Sequence, residues 1–394
     1  KESDLTRMTA DTISMAADRG MSGLESLVPD LASQLDDESL TTVAKRAVVR
    51  ALTTLDAREH AAAIAKLAES SGSLFEDLVD HAMIQWKLDL TADQWQERLT
   101  TSGISLRSRI RAIEGCAAIG LSDAAESIET LATGRDQPAE VRLAAGNGLG
   151  ELFESGLAEK AAALIDADDS NRIDEQVAIA MLRRHSDSKT IDVVKQLTAR
   201  ESTATQFGAF QILYEIDRAS LLKVIDQYVD SPDANVRRIF ADAILRNRDP
   251  NQVIYLAKLL DDVNPSLRMR GADGLVRLAL RDTKYKAEVI SKLTAVLDGD
   301  SWRGCEQAAI VLVNLEYTDC SDRLVDLMRH GRDEVMTTAG WGLRRFALRK
   351  HLPAMLGRAQ EIYDQSGPHG LMTQLMMSFG KMRYREAEPL IRKY

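Results

Sequence analysis

One motif returns down the whole chain at a nearly constant interval. That single feature constrains the fold more than any other. Residues 140–152 read EVRLAAGNGLGEL, 334–346 EVMTTAGWGLRRF, 266–278 SLRMRGADGLVRL and 235–247 NVRRIFADAILRN. Their common form is V-R-x-x-A-A-x-A-L-x-x-L, with small residues at the two central A positions. The second position of this pattern falls on Lys45, Glu76, Arg109, Arg142, Asp174, Thr205, Arg237, Arg268, Arg303, Met336 and His369. Successive steps are 31, 33, 33, 32, 31, 32, 31, 35, 33 and 33 residues. A fixed period of this length marks stacked supersecondary units, each burying itself on its neighbours, rather than a single-core domain.

Within the pattern, positions 1, 5, 8, 9 and 12 are apolar, which is the spacing of one helix face. A second amphipathic stretch precedes it, as in Leu24-Leu27-Val28-Leu31-Leu35, Val253-Leu256-Leu259-Leu260 and Val289-Leu293-Val296-Leu297. Turn and cap residues stand at the joints: Asp36-Asp37, Asp136-Gln137-Pro138, Ser231-Pro232-Asp233, Asn264-Pro265 and Asp298-Gly299-Asp300. Each unit is therefore expected to be a first helix, a tight turn and a second helix carrying the pattern. A hydrophobic fraction of 45% can supply a core for all of them, and the low aromatic content of 5% suits close packing through Ala and Leu. Gly146, Gly148 and Gly150 sit inside a second helix, where glycine costs about 1 kcal/mol against alanine; close packing is the expected reason. The same run lacks the preceding strand that a phosphate-binding loop needs.

The Asp-x-x-Val-Arg type of turn and the Ala-Leu-Gly ending of the second helix resemble HEAT repeats. The short period is similar to the compact bacterial type found in phycobilin-lyase-like proteins. The resemblance covers roughly residues 24–394 and implies an all-α, right-handed α-α superhelix of about eleven helix pairs, with the second helices lining a concave groove. Residues 1–23 are expected as an N-terminal helix or half repeat, 24–385 as the solenoid and 386–394 as a truncated terminal helix, which suggests a piece of a longer protein or an end that needs a partner. The signatures of tetratricopeptide and ankyrin repeats are absent.

Positions 7 and 11 of the second helix face solvent in this register and point into the implied groove. Position 11 brings up Arg183, Tyr214, Arg246, Arg277 and Arg345; position 7 brings up Phe210 and Trp341. Arginine offers a fork of donors matched to carboxylates, and Trp, Tyr and Arg are favoured interface anchors. Asp242 and Asp273 stand four residues before Arg246 and Arg277, so self-paired solvated faces are the competing reading. The position-two arginines, Arg109, Arg142, Arg237 and Arg268, are expected to pair with turn acids of adjacent repeats rather than to form a phosphate ladder.

Chemistry-bearing motifs are missing. HExxH, GxSxG and Walker A patterns do not occur, and six scattered histidines form no ligand set. HEAT-like iron hydroxylases use His-Glu pairs, and no His-Glu dipeptide occurs here. Asp77 and His81 share a helix face, but two ligands do not make a metal site. No catalytic residue, metal or cofactor is assigned. Cys116, Cys305 and Cys320 have no metal-binding spacing and are expected as buried thiols. Net charge is -10, which weighs against general nucleic-acid binding. Residues 344–394, however, hold ten Lys/Arg against four Asp/Glu. The expectation is a non-enzymatic, cytoplasmic scaffold binding a protein or acidic peptide, without a membrane span. The alternatives are a HEAT-like enzyme of DNA-glycosylase or bilin-lyase type, or a nucleic-acid-binding module.

Overall fold

The computed structural model describes residues 2–71, 73–247, 252–365 and 367–394. Among these residues there is helix and turn and no β-strand. All eleven register positions land in separate helices: Thr42–Thr54, Ser73–Trp86, Leu106–Ala118, Ala139–Leu152, Arg172–Leu182, Thr203–Ile216, Ala234–Asn247, Pro265–Arg281, Trp302–Asn314, Asp333–Phe346 and His369–Met382. The helices between them are less regular. Ala125–Thr133 and Ser188–Thr198 are continuous, whereas Arg218–Lys223 and Ile225–Tyr228 divide one first helix in two. The chain is thus an all-helical solenoid of helix pairs. It divides into two compact units, one ending at Ile212 and the other beginning at Leu213.

Local chemistry sets the helix starts. Asn264 accepts a hydrogen bond from the Ser266 amide at 2.9 Å, and Pro265 occupies the first helical turn, where its missing N–H is no loss. Asn171 and Asp174 form a reciprocal capping box at the start of Arg172–Leu182. Helix Glu2–Asp18 precedes the first pair, and the short helix Glu388–Ile391 follows the last.

Glycine does what the pattern requires. A methyl group built on Gly146 would lie 3.0 Å from the Val177 carbonyl oxygen, and one on Gly150 would lie 2.9 Å from that of Met181. On the opposite side, a methyl on Gly148 would lie 3.0 Å from Ile113 Cγ2. Helix Ala139–Leu152 is therefore held at backbone distance from the next second helix.

The position-two residues stitch repeats together. Arg142 donates to the Ala132 carbonyl at 3.0 Å and pairs with Asp174, the position-two residue of the following repeat; both side chains are buried. Arg237 holds Asp262 through two bonds of 2.6 and 2.8 Å, and Arg268 donates to the Asp262 carbonyl at 2.8 Å. Such pairs satisfy buried charge and acceptors between layers. Arg109 likewise donates to Gln137 and to the Thr101 carbonyl. Arg142 and Arg237 thus pair with acids of the next repeat, whereas Arg268 instead bonds the turn of its own repeat, and Arg109 finds an amide and a carbonyl rather than an acid.

Trp86 and Trp95 are core rings with a polar anchor each: their indole N–H groups donate to Asp56 at 2.8 Å and Asp80 at 2.7 Å. The three cysteines are free and buried. Burial pushes the Cys116 and Cys320 thiols up to about 11 and raises Cys305 as well, so none is a ready nucleophile.

Candidate binding face

The second unit aligns the candidate residues with little scatter. Arg246, Arg277 and Arg345 are each the thirteenth residue of their helices, Ala234–Asn247, Pro265–Arg281 and Asp333–Phe346, and all three are exposed. The ninth residues of the same helices are Asp242, Asp273 and Trp341. Asp273 is exposed, while Asp242 and Trp341 are half-buried. One row of guanidinium groups and, a helical turn below, a row ending in an indole therefore lie on corresponding faces.

Tyr214 opens the row. Its ring is flanked by two cations, with the Arg218 guanidinium 5.0 Å and the Arg246 guanidinium 4.9 Å from the ring centre. Arg246 reaches Tyr214, the twelfth residue of helix Thr203–Ile216, from the following repeat, so side chains near this end of neighbouring second helices are within touching range. Partial burial raises the Tyr214 phenol, with the Arg246 charge opposing the shift. The self-pairing expected for Asp242 and Arg246 is replaced: Asp242 is taken by Arg270 of the next second helix. That frees the Arg246 fork to stack on Tyr214.

Two expectations need correction. Phe210 is 0% exposed and lies in the core. In helix Thr203–Ile216, Gly208, Ala209, Phe210, Ile212 and Leu213 are all buried, so apolar side chains there occupy a wider arc than the pattern allows. The same reason buries Ile179, Ala308 and Leu312 at positions read as solvent-facing. Arg183 is exposed, but it is the capping residue just beyond helix Arg172–Leu182 and belongs to the first unit. Tyr214, Arg246, Arg277, Trp341 and Arg345 remain together in the second unit.

Sequence reasoning passed over a second stack. The Trp302 ring is met by the guanidinium groups of Arg303 and Arg332, 4.8 and 4.7 Å from its centre. The adjacent Trp302-Arg303 pair was its visible signal; the Arg332 contribution comes from the following repeat.

The charge chemistry elsewhere is that of ion pairs. Asp77 is held by Arg107 at 2.7 Å and by Arg111 at 3.6 Å rather than standing as a metal ligand beside His81. Among the described residues no cluster of three or more potential metal ligands occurs. The carboxyls of Asp37, Asp56, Glu159, Asp187 and Glu361 are all displaced downward, mainly by hydrogen bonds. A raised carboxyl, the usual mark of a general acid, is the opposite displacement.

No family model and no curated protein matches the chain. Solved structures do. The structure of Kap95p with RanGDP superposes with a TM-score of 0.52 at 14% identity, covering 95% of this chain and 55% of that one. Yeast importin-beta gives 0.49 at 14% identity, over 94% and 53% of the two chains. The karyopherin Kap121p, bound to the extreme C-terminus of the phosphatase Cdc14p, gives 0.48 at 13%, over 100% and 52%. This chain spans about half the length of the solved chains it matches. At such identity the likeness speaks for fold alone, and together with eleven in-register helix pairs it makes the chain a HEAT-like α-solenoid.

Proposed function

We propose that the chain is a non-enzymatic scaffold whose second unit captures an acidic segment of a partner protein along the exposed arginines Arg246, Arg277 and Arg345 and the half-buried rings of Tyr214 and Trp341. The observation that carries this reading is the repetition of arginine at one helical position in three helices, with Tyr214 and Trp341 supplying aromatic surface beside it. Guanidinium forks match carboxylates, and aromatic rings give contact area at low entropic cost. A solenoid presents such a row without needing a pocket. The solved relative with the TM-score of 0.52 is itself a protein that binds another protein, RanGDP.

Three free, buried cysteines suit a reducing compartment, and a cytoplasmic site of action is part of the proposal. No helix among the described residues is long and apolar enough to cross a membrane.

The test uses a fluorescent twelve-residue Asp/Glu peptide and its Lys counterpart, with anisotropy as readout. The acidic probe should bind with salt-sensitive affinity and the basic one should not. Trp341→Ala combined with Arg345→Glu should weaken the acidic probe at least about tenfold, the equivalent of one charge-assisted contact, with helicity and melting temperature nearly unchanged. Equal binding by the double variant would remove this face from the proposal.

A further inference from the structure

We infer that the second unit reads the spacing of acids along its partner and not only their number, an inference that rests on the binding face proposed above. Three observations carry it. Arg246 and Arg277 occupy the same helical position in consecutive repeats. The repeat after them, helix Trp302–Asn314, offers no cation at the matching place, because its thirteenth residue is the exposed Asn314. Arg345 then resumes the row one repeat later. The row is therefore cation, cation, gap, cation.

Neighbouring packed helices lie roughly 8–10 Å apart, and an extended chain advances about 3.3 Å per residue. One repeat therefore corresponds to about three residues of a peptide crossing the second helices. Arg246 and Arg277 ask for carboxylates three residues apart, and Arg345 asks for one about six residues further on. Trp341, a helical turn below Arg345, takes an apolar side chain beside that third acid. At the other end the Arg246 guanidinium sits over the Tyr214 ring, 4.9 Å from its centre, which places it beside aromatic surface while its N–H groups can still meet a carboxylate. The partner class is an extended segment with acids at positions 1, 4 and 10, or at 1, 7 and 10 if the chain runs the other way.

Arg246 and Arg345, in the last turns of their helices, also suit the dipole there. That role alone makes their removal a matter of helix stability, with no preference among peptides of equal charge.

The experiment compares four peptides of identical composition, three Asp and one Leu in a Ser/Gly background. Two carry the acids at 1, 4 and 10 or at 1, 7 and 10 with Leu beside the isolated acid; two carry them contiguously or at alternate positions. Anisotropy titrations are run on the full chain, on Arg277→Ala and on Arg277→Lys. One spaced peptide should bind about tenfold more tightly than both controls, again one charge-assisted contact. Arg277→Ala should erase that margin. Arg277→Lys, which keeps the charge and loses the fork, should reduce it while the melting temperature holds. Four equal affinities overturn the spacing inference and leave the binding face standing as a plain electrostatic surface. No binding by any of the four or by the Asp/Glu twelve-mer, at low salt, overturns both.

Discussion

The two units share one repeat register and differ in what they expose along it. Up to Ile212 the chain carries 22 Lys/Arg against 35 Asp/Glu, and from Leu213 it carries 28 against 25. At pattern position eleven the first unit has Thr54, Gln85, Ala118 and Glu151 before Arg183, whereas the second has Tyr214, Arg246, Arg277 and Arg345 together with the buried Leu312 and Ser378. Position two tells the opposite story. Both units join repeats there with a buried arginine–aspartate pair, Arg142 with Asp174 in the first and Arg237 with Asp262 in the second. The buried row is constrained by the need to satisfy charge between layers. The exposed row has no such constraint, so it is where the units diverge and where we propose that binding specificity resides.

The largest expected effect tests the buried row. Asp174→Ala leaves the Arg142 guanidinium, 2% exposed, with only the Ala132 carbonyl, and it also dismantles the capping box on Asn171. Breaking a buried pair in this way costs about 3–5 kcal/mol. Asp262→Ala should cost less, because Arg237 keeps the Ser231 carbonyl and sits nearer water. Urea unfolding of both variants measures the difference. An Asp174→Ala cost below about 1 kcal/mol, at the low end for a single hydrogen bond, would break the claim that this row holds the stack.

Fold was legible in the sequence because stacking repeats the same physical demand at every unit. Arg109, Arg142, Arg237 and Arg268 were read as partners of acids in adjacent repeats from their position alone; Arg142 and Arg237 are engaged that way, Arg109 reaches the next repeat through Gln137, and Arg268 holds the turn of its own repeat. The exposed positions of the proposed face were legible only where a polar residue stood on a position the core had no use for, as at Arg246, Arg277 and Arg345. That reading failed at Phe210, where a motif aligned by its small residues placed a core ring outside. Contacts across repeats were the least visible. Nothing local to Asp242 announces Arg270 as its partner in place of Arg246, and nothing local to Trp302 announces Arg332. Side chains roughly thirty residues apart in sequence decide those pairings.

A smaller effect, opposite in sign between a buried and an exposed site, sharpens the contrast of rows. Gly150→Ala in the first unit forces a methyl to within 2.9 Å of the Met181 carbonyl oxygen and 3.1 Å of that of Ala180. Backbone cannot rotate away, so a cost of about 1–3 kcal/mol is expected from overpacking. Gly380→Ala in the second unit meets nothing within 4 Å and lies in helix His369–Met382. It should gain up to about 1 kcal/mol from helix propensity. Melting temperatures should move in opposite directions; a stabilising Gly150→Ala would mean the second helices of the first unit are not in backbone contact.

The smallest effect belongs to an exposed ion cluster of the second unit. Glu361 accepts from Arg329 at 2.6 Å and from Arg358 at 3.0 Å, and Arg358 also donates to the Met328 carbonyl at 3.0 Å. The Arg329 hydrogen bond, followed by that of Arg358, brings the Glu361 carboxyl down to about 2. A carboxyl depressed in the folded state adds stability above its unfolded value near 4.3, and that stability is lost as pH falls from there towards 2. Glu361→Gln should therefore melt below the unaltered chain at neutral pH, and the gap should close between about pH 4.5 and 2. Solvent screening keeps the gap small, and added salt should narrow it further. Parallel melting curves at every pH would mean that these arginines, unlike Arg142 and Arg237, hold nothing together, and the exposed ion pairs would then drop out of any account of what stabilises the second unit.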